Sequence, residues 1–391
     1  MLKFKIKDTN KTFSFECDAT KLSGALSKAV NVTSFSNAAD NEKHHLLVSY
    51  KKHLYVVAFS PDTFVAFCLE DVETSDNGAF AFNPQTLQGL IKKRKGMKFR
   101  FNNGRLDFKQ VSGNYSGKIE TYNIDSGQIG LVNSKFEGSD SNSVSLGSEA
   151  LSSLREGIKV SNLQNFYGSD PIVCMIRANS GNLEVSAYDN FHMSHYRSKV
   201  SKDLNFQLSI QVSTFRLIDK FVSDEDEDVQ FFIGDRLTVF GSSYTVDLPS
   251  IQVDDEDYNR VRDYIDSLKN HSVQLKFTSA GVATVDNMFT ISDADTRLSM
   301  SLKKDRVGIS METESGKVSD AFKTLVDMGM ESMSFMIDPR IFGDLFDKVR
   351  EKEEIPMRLY QKKNSGVSSC FVIANSTKHS KTYLVGTYYE E

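Results

Sequence analysis

The sequence predicts an α+β protein built of three tandem units, each with two helices packed on antiparallel sheets. Three observations lead there. A strand-then-helix segment recurs three times at a near-constant interval. Each recurrence is followed by alternating apolar stretches joined by tight turns. The composition, 39% hydrophobic and 25% charged over 391 residues, is that of a globular chain long enough for two to four domains.

The recurring segments are 80–91, 208–219 and 335–346. Phe82, Ile210 and Ile337 correspond, 128 and 127 residues apart, so three such units fill nearly the whole chain. In order, Asp18 or Thr20 opens a helix whose stripe is Leu22, Ala25, Leu26, Ala29 and Val30, followed by a hairpin of 46–50 with 54–59. Asn83-Pro84 starts the next helix, because the Asn side chain can accept from an orphan N–H and proline fits the first helical position. Leu87, Leu90 and Ile91 form its apolar stripe. Strands 97–101 and 105–108 follow around Asn102-Asn103-Gly104, residues that tolerate positive φ. Residues 126–145, rich in Ser, Asn and Gly, read as a linker.

The second unit repeats the plan. Ser148 starts a helix with Leu151, Leu154 and Ile158, the hairpin is 173–178 with 183–187, and strands 229–233 and 236–240 turn at Gly234-Asp235. Residues 254–270 read as a connector carrying a short helix with Tyr258, Val261, Tyr264, Ile265 and Leu268 on one face. The third unit opens with a weaker helix over 277–289, diluted by Gly281, then a hairpin of 298–302 with 307–311. Asp338-Pro339 starts its second helix, striped by Phe342, Leu345, Phe346 and Val349, and strands 357–360 and 369–373 follow. The expected domains are 1–132, 133–255 and 256–391, the last beginning with the connector helix near 256–270.

Several function classes fall away. No run approaches 18 apolar residues, which excludes a membrane-spanning helix, and residues 1–11 have no continuous apolar core of a signal peptide. Cys17, Cys68, Cys174 and Cys370 are too scattered for a disulfide framework or a metal knuckle and read as reduced thiols of a cytoplasmic protein. His192 and His195 have no third ligand beside them and read as packed or solvated histidines; His44-His45 reads as a surface loop pair. The acidic runs 223–228 and 254–257 lack calcium-loop spacing and read as solvated loops. No nucleophile, phosphate-loop or zinc-protease motif occurs, so no catalytic residue, metal or cofactor is expected.

The helices carry the positive signal. Lys92, Lys93 and Lys95 lie beside the stripe of the helix from Asn83, with Gln88 on the same outer face. Arg216 and Lys220 stand four apart, as do Lys348 and Lys352, and Lys21 with Lys28 and Arg155 with Lys159 repeat the theme. Basic residues so placed suit sequence-independent phosphate contact; a solvated face is the ordinary alternative for any soluble helix. The formal charge of −5 argues against a molecule coated in DNA-binding charge but allows one basic surface on an acidic body. No aromatic residues interleave with the basic ones, so single-strand stacking is not expected.

With three such units the chain resembles the bacterial-type DNA sliding clamp, the β subunit of replicative DNA polymerase. Residues 183–193 resemble that family's strand ending in Thr-Asp-Gly-His-Arg-Leu, Asp257-Tyr258-Asn259-Arg260-Val261 its Pro-Asp-Tyr-Arg-Arg-Val connector, and 383–389 its C-terminal strand. The resemblance implies a non-catalytic homodimeric ring, domain 1 of one protomer against domain 3 of the other, encircling double-stranded DNA. It implies a pocket for short peptides of the DNA polymerase and clamp loader, placed here at Tyr188, Asn190, Phe191, Met193, Arg260, Val261, Val385 and Tyr388. Asn190 and Phe191 stand where the family has Gly-His, and Gly386, Thr387 and Tyr388 where it has Met-Pro-Met. Such drift suits a clamp encoded by a phage with its own polymerase, working in bacterial cytoplasm. Edge strands near 98–105 and 293–300 are the expected ring contacts. A trimeric clamp, or a monomeric polymerase accessory protein that never closes a ring, is the alternative.

Overall fold

The computed structural model describes residues 4–7, 11–136, 143–164, 172–189, 192–222, 228–251, 253–267, 273–292, 296–314, 316–328, 332–349, 354–361, 367–375 and 379–388. In chain order the elements are β1 (Phe13–Cys17), α1 (Ala19–Ser34), β2 (His44–Tyr50), β3 (His53–Phe59), β4 (Phe64–Glu73), β5 (Gly78–Ala81), α2 (Pro84–Ile91), β6 (Met97–Asn102), β7 (Arg105–Gln110), β8 (Ser116–Glu120), α3 (Ser126–Ser134) and β9 (Ser143–Gly147). Next come α4 (Ser148–Val160), β10 (Val173–Asn179), β11 (Asn182–Tyr188), β12 (His192–Lys199), β13 (Phe206–Gln211), α5 (Val212–Asp219), β14 (Asp228–Ile233), β15 (Arg236–Phe240), β16 (Tyr244–Pro249) and α6 (Asp255–Ser267). The chain ends with β17 (Val273–Thr278), α7 (Ser279–Phe289), β18 (Leu298–Lys303), β19 (Arg306–Thr313), β20 (Gly316–Lys323), β21 (Val326–Met328), β22 (Ser332–Ile337), α8 (Pro339–Val349), β23 (Glu354–Gln361), β24 (Val367–Asn375) and β25 (His379–Tyr388). The described residues thus form eight α-helices on antiparallel sheets, the α+β plan expected.

Two compact units result. One comprises Met1–Glu149 with Ser213–Ile251, the other Ala150–Val212 with Gln252–Glu391. In the first, a sheet ordered β1-β6-β7-β8 accompanies a larger one ordered β5-β2-β3-β4-β16-β15-β14-β9. Strand β4 pairs β16 over Phe67↔Tyr244 to Phe64↔Asp247, joining the first sequence repeat to the second. Helix α1 is capped by Asp18, which accepts from the Thr20 amide at 2.8 Å, and it buries Leu22, Leu26, Ala29 and Val32 completely. Burying each such aliphatic chain is worth about 1.5–3 kcal/mol for the larger ones. On β2–β4 lies a second core of Leu46, Val48, Val57, Phe59 and Phe64, closed by Phe4, Ile6, Val132 and Phe136.

That closure corrects the linker expected at 126–145. Residues 126–134 form α3, and β9 begins at Ser143. The Asp125 carboxylate accepts from the Gln128 amide at 2.8 Å, while the Gln128 side chain accepts from the Asp125 amide at 3.2 Å. This capping box, with Val132 at 0% exposure, outweighs the Ser and Gly content that suggests a loop. Asn133 holds the N-terminal segment, accepting from the Ile6 amide at 2.8 Å and donating to its carbonyl at 3.1 Å.

In the second unit one sheet runs β13-β10-β11-β12-β25-β22-β18-β19-β20, with β24, β23, β17 and β21 branching from β25. Here β12 pairs β25 over seven residues, from His192↔Val385 to Ser198↔His379. The diluted helix of the third unit is α7, capped by Thr278. Its Gly281 is required: a Cβ there would stand 2.8 Å from the Phe322 ring.

The expected edges are corrected as well. Strand β6, within 98–105, lies between β1 and β7, and β18, within 293–300, lies between β22 and β19; residues 293–295 are outside the described residues. Each is the inner member of a meander, hydrogen-bonded on both sides. Among the described strands β1, β5, β8, β9, β13, β20 and β21 have a single strand partner, so β8 and β20 are two of several sheet ends. His44 and His45 belong to β2, not to a loop. His45 is buried, its Nε2 3.1 Å from the Thr33 hydroxyl, because the apolar run 46–48 extends the strand back through it.

Candidate nucleic-acid interface

Helix α1 presents Lys21, Gly24 and Lys28 to solvent on the side away from its buried stripe. The two lysines are not free point charges. Lys21 forms an ion pair with Asp71 on β4, whose hydrogen bond raises the lysine pKa and lowers that of the aspartate. The Lys28 ammonium lies 5.9 Å from the centroid of the Phe221 ring, a cation–π arrangement. Phe221 packs on Phe67 with centroids 4.8 Å apart. Neither partner was legible beforehand, since Asp71 and Phe221 sit on elements 50 and more residues away.

Helix α2 is shorter than its basic tail suggests. It ends at Ile91, and Lys92 is its C-cap, donating from its amide to the Gln88 carbonyl at 2.9 Å. Lys93 follows with φ 67°, so Lys93 and Lys95 stand on a turn rather than on the helix face. Gln88 is corrected too: its side-chain amide reaches the Ser23 carbonyl and the Ser27 hydroxyl, facing α1. The turn is stiffened by Arg94, whose guanidinium stacks 4.0 Å over the Tyr115 ring, leaving Lys92, Lys93 and Lys95 exposed. Hydrogen bonds from the Thr20 hydroxyl and amide, then the charges of Lys21 and Lys95, hold the Asp18 carboxyl below its ordinary pKa. The structure therefore gathers Lys21 and Lys95 around the start of α1.

Of the other expected contacts, Lys159 is exposed on α4 while Arg155 is half-buried. Arg216 is exposed on α5, and Lys220 is exposed in the turn just past it, its amide donating to the Leu217 carbonyl at 3.0 Å. Lys348 is on α8; Lys352 is outside the described residues.

Strand register fixes where several residues of the expected peptide pocket stand. Tyr188 ends β11 opposite Met193 of β12, Met193 faces Leu384, and His192 faces Val385. Tyr388, at the end of β25, is opposite Val367 and Met336. Tyr188 and Met193 are half-exposed; Asn190 and Phe191 are outside the described residues. Across the same sheet face runs α6, its acidic first turn of Asp255, Glu256 and Asp257 complementing the helix dipole. Val261 is fully buried and anchors the helix, and the exposed Arg260 pairs with Asp257 at 3.1 Å. Among the described residues no three His, Cys, Asp or Glu side chains converge to hold a metal, and no helix is long and apolar enough to cross a membrane.

No protein-family model and no curated protein sequence matches this chain. Solved structures match along nearly its full length. The DNA polymerase III β subunit of Thermotoga maritima aligns with a TM-score of 0.77 at 11% identity, covering 97% of this chain and 100% of that one. The β subunit from Streptococcus pyogenes gives 0.78 at 12%, covering 96% and 100%. The β subunit of Borrelia burgdorferi, solved with a natural product, gives 0.76 at 15%, covering 97% and 100%. At that distance in sequence, and with nearly the whole of both chains aligned, the chain has the fold of the bacterial sliding clamp, the β subunit of DNA polymerase III.

Proposed function

We propose that the chain is a DNA sliding clamp: a non-catalytic ring of two protomers that encircles duplex DNA and tethers a replicative polymerase in the cytoplasm of a bacterium or a phage-infected bacterium. The observation that carries this reading is the match in fold over 96–97% of the chain with no part of the solved clamps left over. The three clamp domains would be 1–132, 133–255 and 256–391. A ring works by topology, so contacts to DNA need only be weak and electrostatic. Exposed Lys28, Lys92, Lys93, Lys95, Lys159, Arg216 and Lys220 supply such contacts. Polymerase and clamp-loader peptides would dock at Tyr188, Met193, Arg260 and the β25 end.

Ring closure is assigned to two of the free edges, β8 and β20, where unpaired backbone groups invite a strand from another chain. On β20 Val318 is 41% exposed, and Leu325, two residues past its end, is 85% exposed, apolar surface that a partner chain would cover. Light scattering should give twice 43.9 kDa, and the protein should stay on nicked circular DNA but run off after linearisation. Because Val318 and Leu325 are exposed, Val318→Asp with Leu325→Asp should leave the fold intact and give a monomer that is lost from both DNAs. Equal retention on circular and linear DNA would refute encirclement and favour an open accessory protein.

A further inference from the structure

The face of β10–β12 that carries α6 holds a cavity of about 200 Å³ at the tip of the β10–β11 hairpin, at the opposite end of the strands from Tyr188 and Met193. Three arginines line it, Arg177, Arg197 and Arg262, against a single carboxylate, Glu184. Strand register makes the convergence obligatory. Arg177 is directly opposite Glu184, and Glu184 directly opposite Arg197, so one row across three strands reads plus, minus, plus. Arg262 comes down from α6. Burial lowers the pKa of His195 behind this row; Glu184 and Asp266 oppose that shift, and Arg197 and Arg262 add to it.

The manner in which these cations are held is the telling feature. Arg197 takes the carboxylate, its Nε 3.5 Å from Glu184. Arg177 and Arg262 instead share one neutral acceptor: the Asn259 side-chain oxygen accepts from Arg177 at 3.2 Å and from Arg262 at 3.0 Å. Among the described residues Arg177 has no carboxylate in ion-pair range, and the one near Arg262 is Asp263, 3.7 Å away and 69% exposed. Two guanidiniums are thus drawn onto a single amide oxygen in a chain of net charge −5, with donors left over and a cleft beside them. A like-charge pair costs Coulombic energy wherever it is partly desolvated, and a guanidinium fork matches a tetrahedral oxyanion bidentately.

We propose that this cavity binds an oxyanion of phosphate size, held by Arg177, Arg197 and Arg262 and excluded from carbon-rich ligands by its small volume. The site does not depend on the clamp reading, and its failure would leave that reading untouched.

Calorimetric titration of the full-length protein with sodium phosphate, against sodium chloride at matched ionic strength, tests it. One saturable site per chain is expected, with half-saturation raised at least tenfold by Arg262→Gln and less by Arg262→Lys. Asn259→Asp is the decisive variant, because it puts a carboxylate between the two guanidiniums. It should abolish phosphate binding while keeping or raising the melting temperature, so loss of binding cannot be ascribed to misfolding. A parallel titration with a deoxynucleoside triphosphate separates the sources. Tighter binding of inorganic phosphate assigns the site to the free ion, and tighter binding of the triphosphate assigns it to a nucleotide's terminal phosphate. Phosphate behaving like chloride, or wild type and Asn259→Asp titrating alike, overturns the proposal.

Discussion

Asp247, on β16, is 4% exposed and receives two cations: the Lys135 ammonium at 2.9 Å and the Arg236 guanidinium. Lys135 is the C-cap of α3, so this carboxylate ties that helix to the large sheet of its unit. Replacing Asp247 by Ala leaves both cations without a counter-charge. Breaking a buried pair costs about 3–5 kcal/mol when the survivor stays buried. Here the Lys135 side chain is 15% and the Arg236 side chain 32% exposed, and Arg236 keeps a bond to the Asp62 carbonyl at 2.7 Å. Partial escape to water puts the cost at the low end, about 3 kcal/mol. That amounts to roughly a hundredfold faster opening of the region. Native-state hydrogen exchange, read on the amides of α3 and β16, measures it. Asp247→Asn, which keeps a neutral acceptor, should lose about half as much. Pairing Asp247→Ala with Lys135→Met should recover part of the loss, a coupling of about 1–2 kcal/mol. Exchange in Asp247→Ala accelerated less than threefold, or additive effects in the double variant, would refute the idea that this pair anchors α3.

Burial, with a smaller contribution from His44, lowers the His45 pKa from 6.5 to about 4. The folded state therefore prefers the neutral ring, and its contribution is full above pH 6.5 and is lost progressively as pH falls toward 4. The loss is on the order of 3 kcal/mol, and His45→Gln should flatten the stability–pH profile in that window while leaving the carboxylate-driven fall at lower pH. Gly157→Ala on α4 gains about 1 kcal/mol of helix propensity, but the new Cβ would stand 2.6 Å from Val185 and 2.8 Å from Tyr196. Overpacking of about 1–3 kcal/mol should win, lowering the melting temperature; a rise would show that the sheet yields. Asp71→Asn frees Lys21 for phosphate, so log binding constant against log salt on duplex DNA should steepen by about 0.9. An unchanged slope would remove Lys21 from the interface.

The helices were legible where local chemistry and periodicity agreed, as at Asp18, Asn83 and Asp338 with their apolar stripes. Helix α3 was hidden because its stripe is only Val132 with Phe136 and Ile129 at the rims, amid residues typical of loops. The basic residues were legible as a set but not in their settings. Periodicity carried α2 past Ile91, whereas the left-handed Lys93 turns the chain into β6. The Lys21–Asp71 pair and the three arginines around Asn259 depend on strand register and on helices crossing sheets, which the sequence does not encode locally. The same holds for the edges: pattern distinguishes a strand from a helix, but not an inner strand from an outer one.

The seams at β4–β16 and β12–β25 have a consequence for how such a chain can be cut or inherited. The period of the sequence and the period of folding are out of phase. A break at a repeat border would part the second repeat from partners on both sides and leave two raw strands at each cut. Fragments of one repeat should therefore be sticky and poorly soluble, whereas a fragment that follows the spatial grouping would have to be stitched from separate stretches of chain. Gene duplication can copy the repeat, but a single copy lifted out of this protein is not a self-sufficient object.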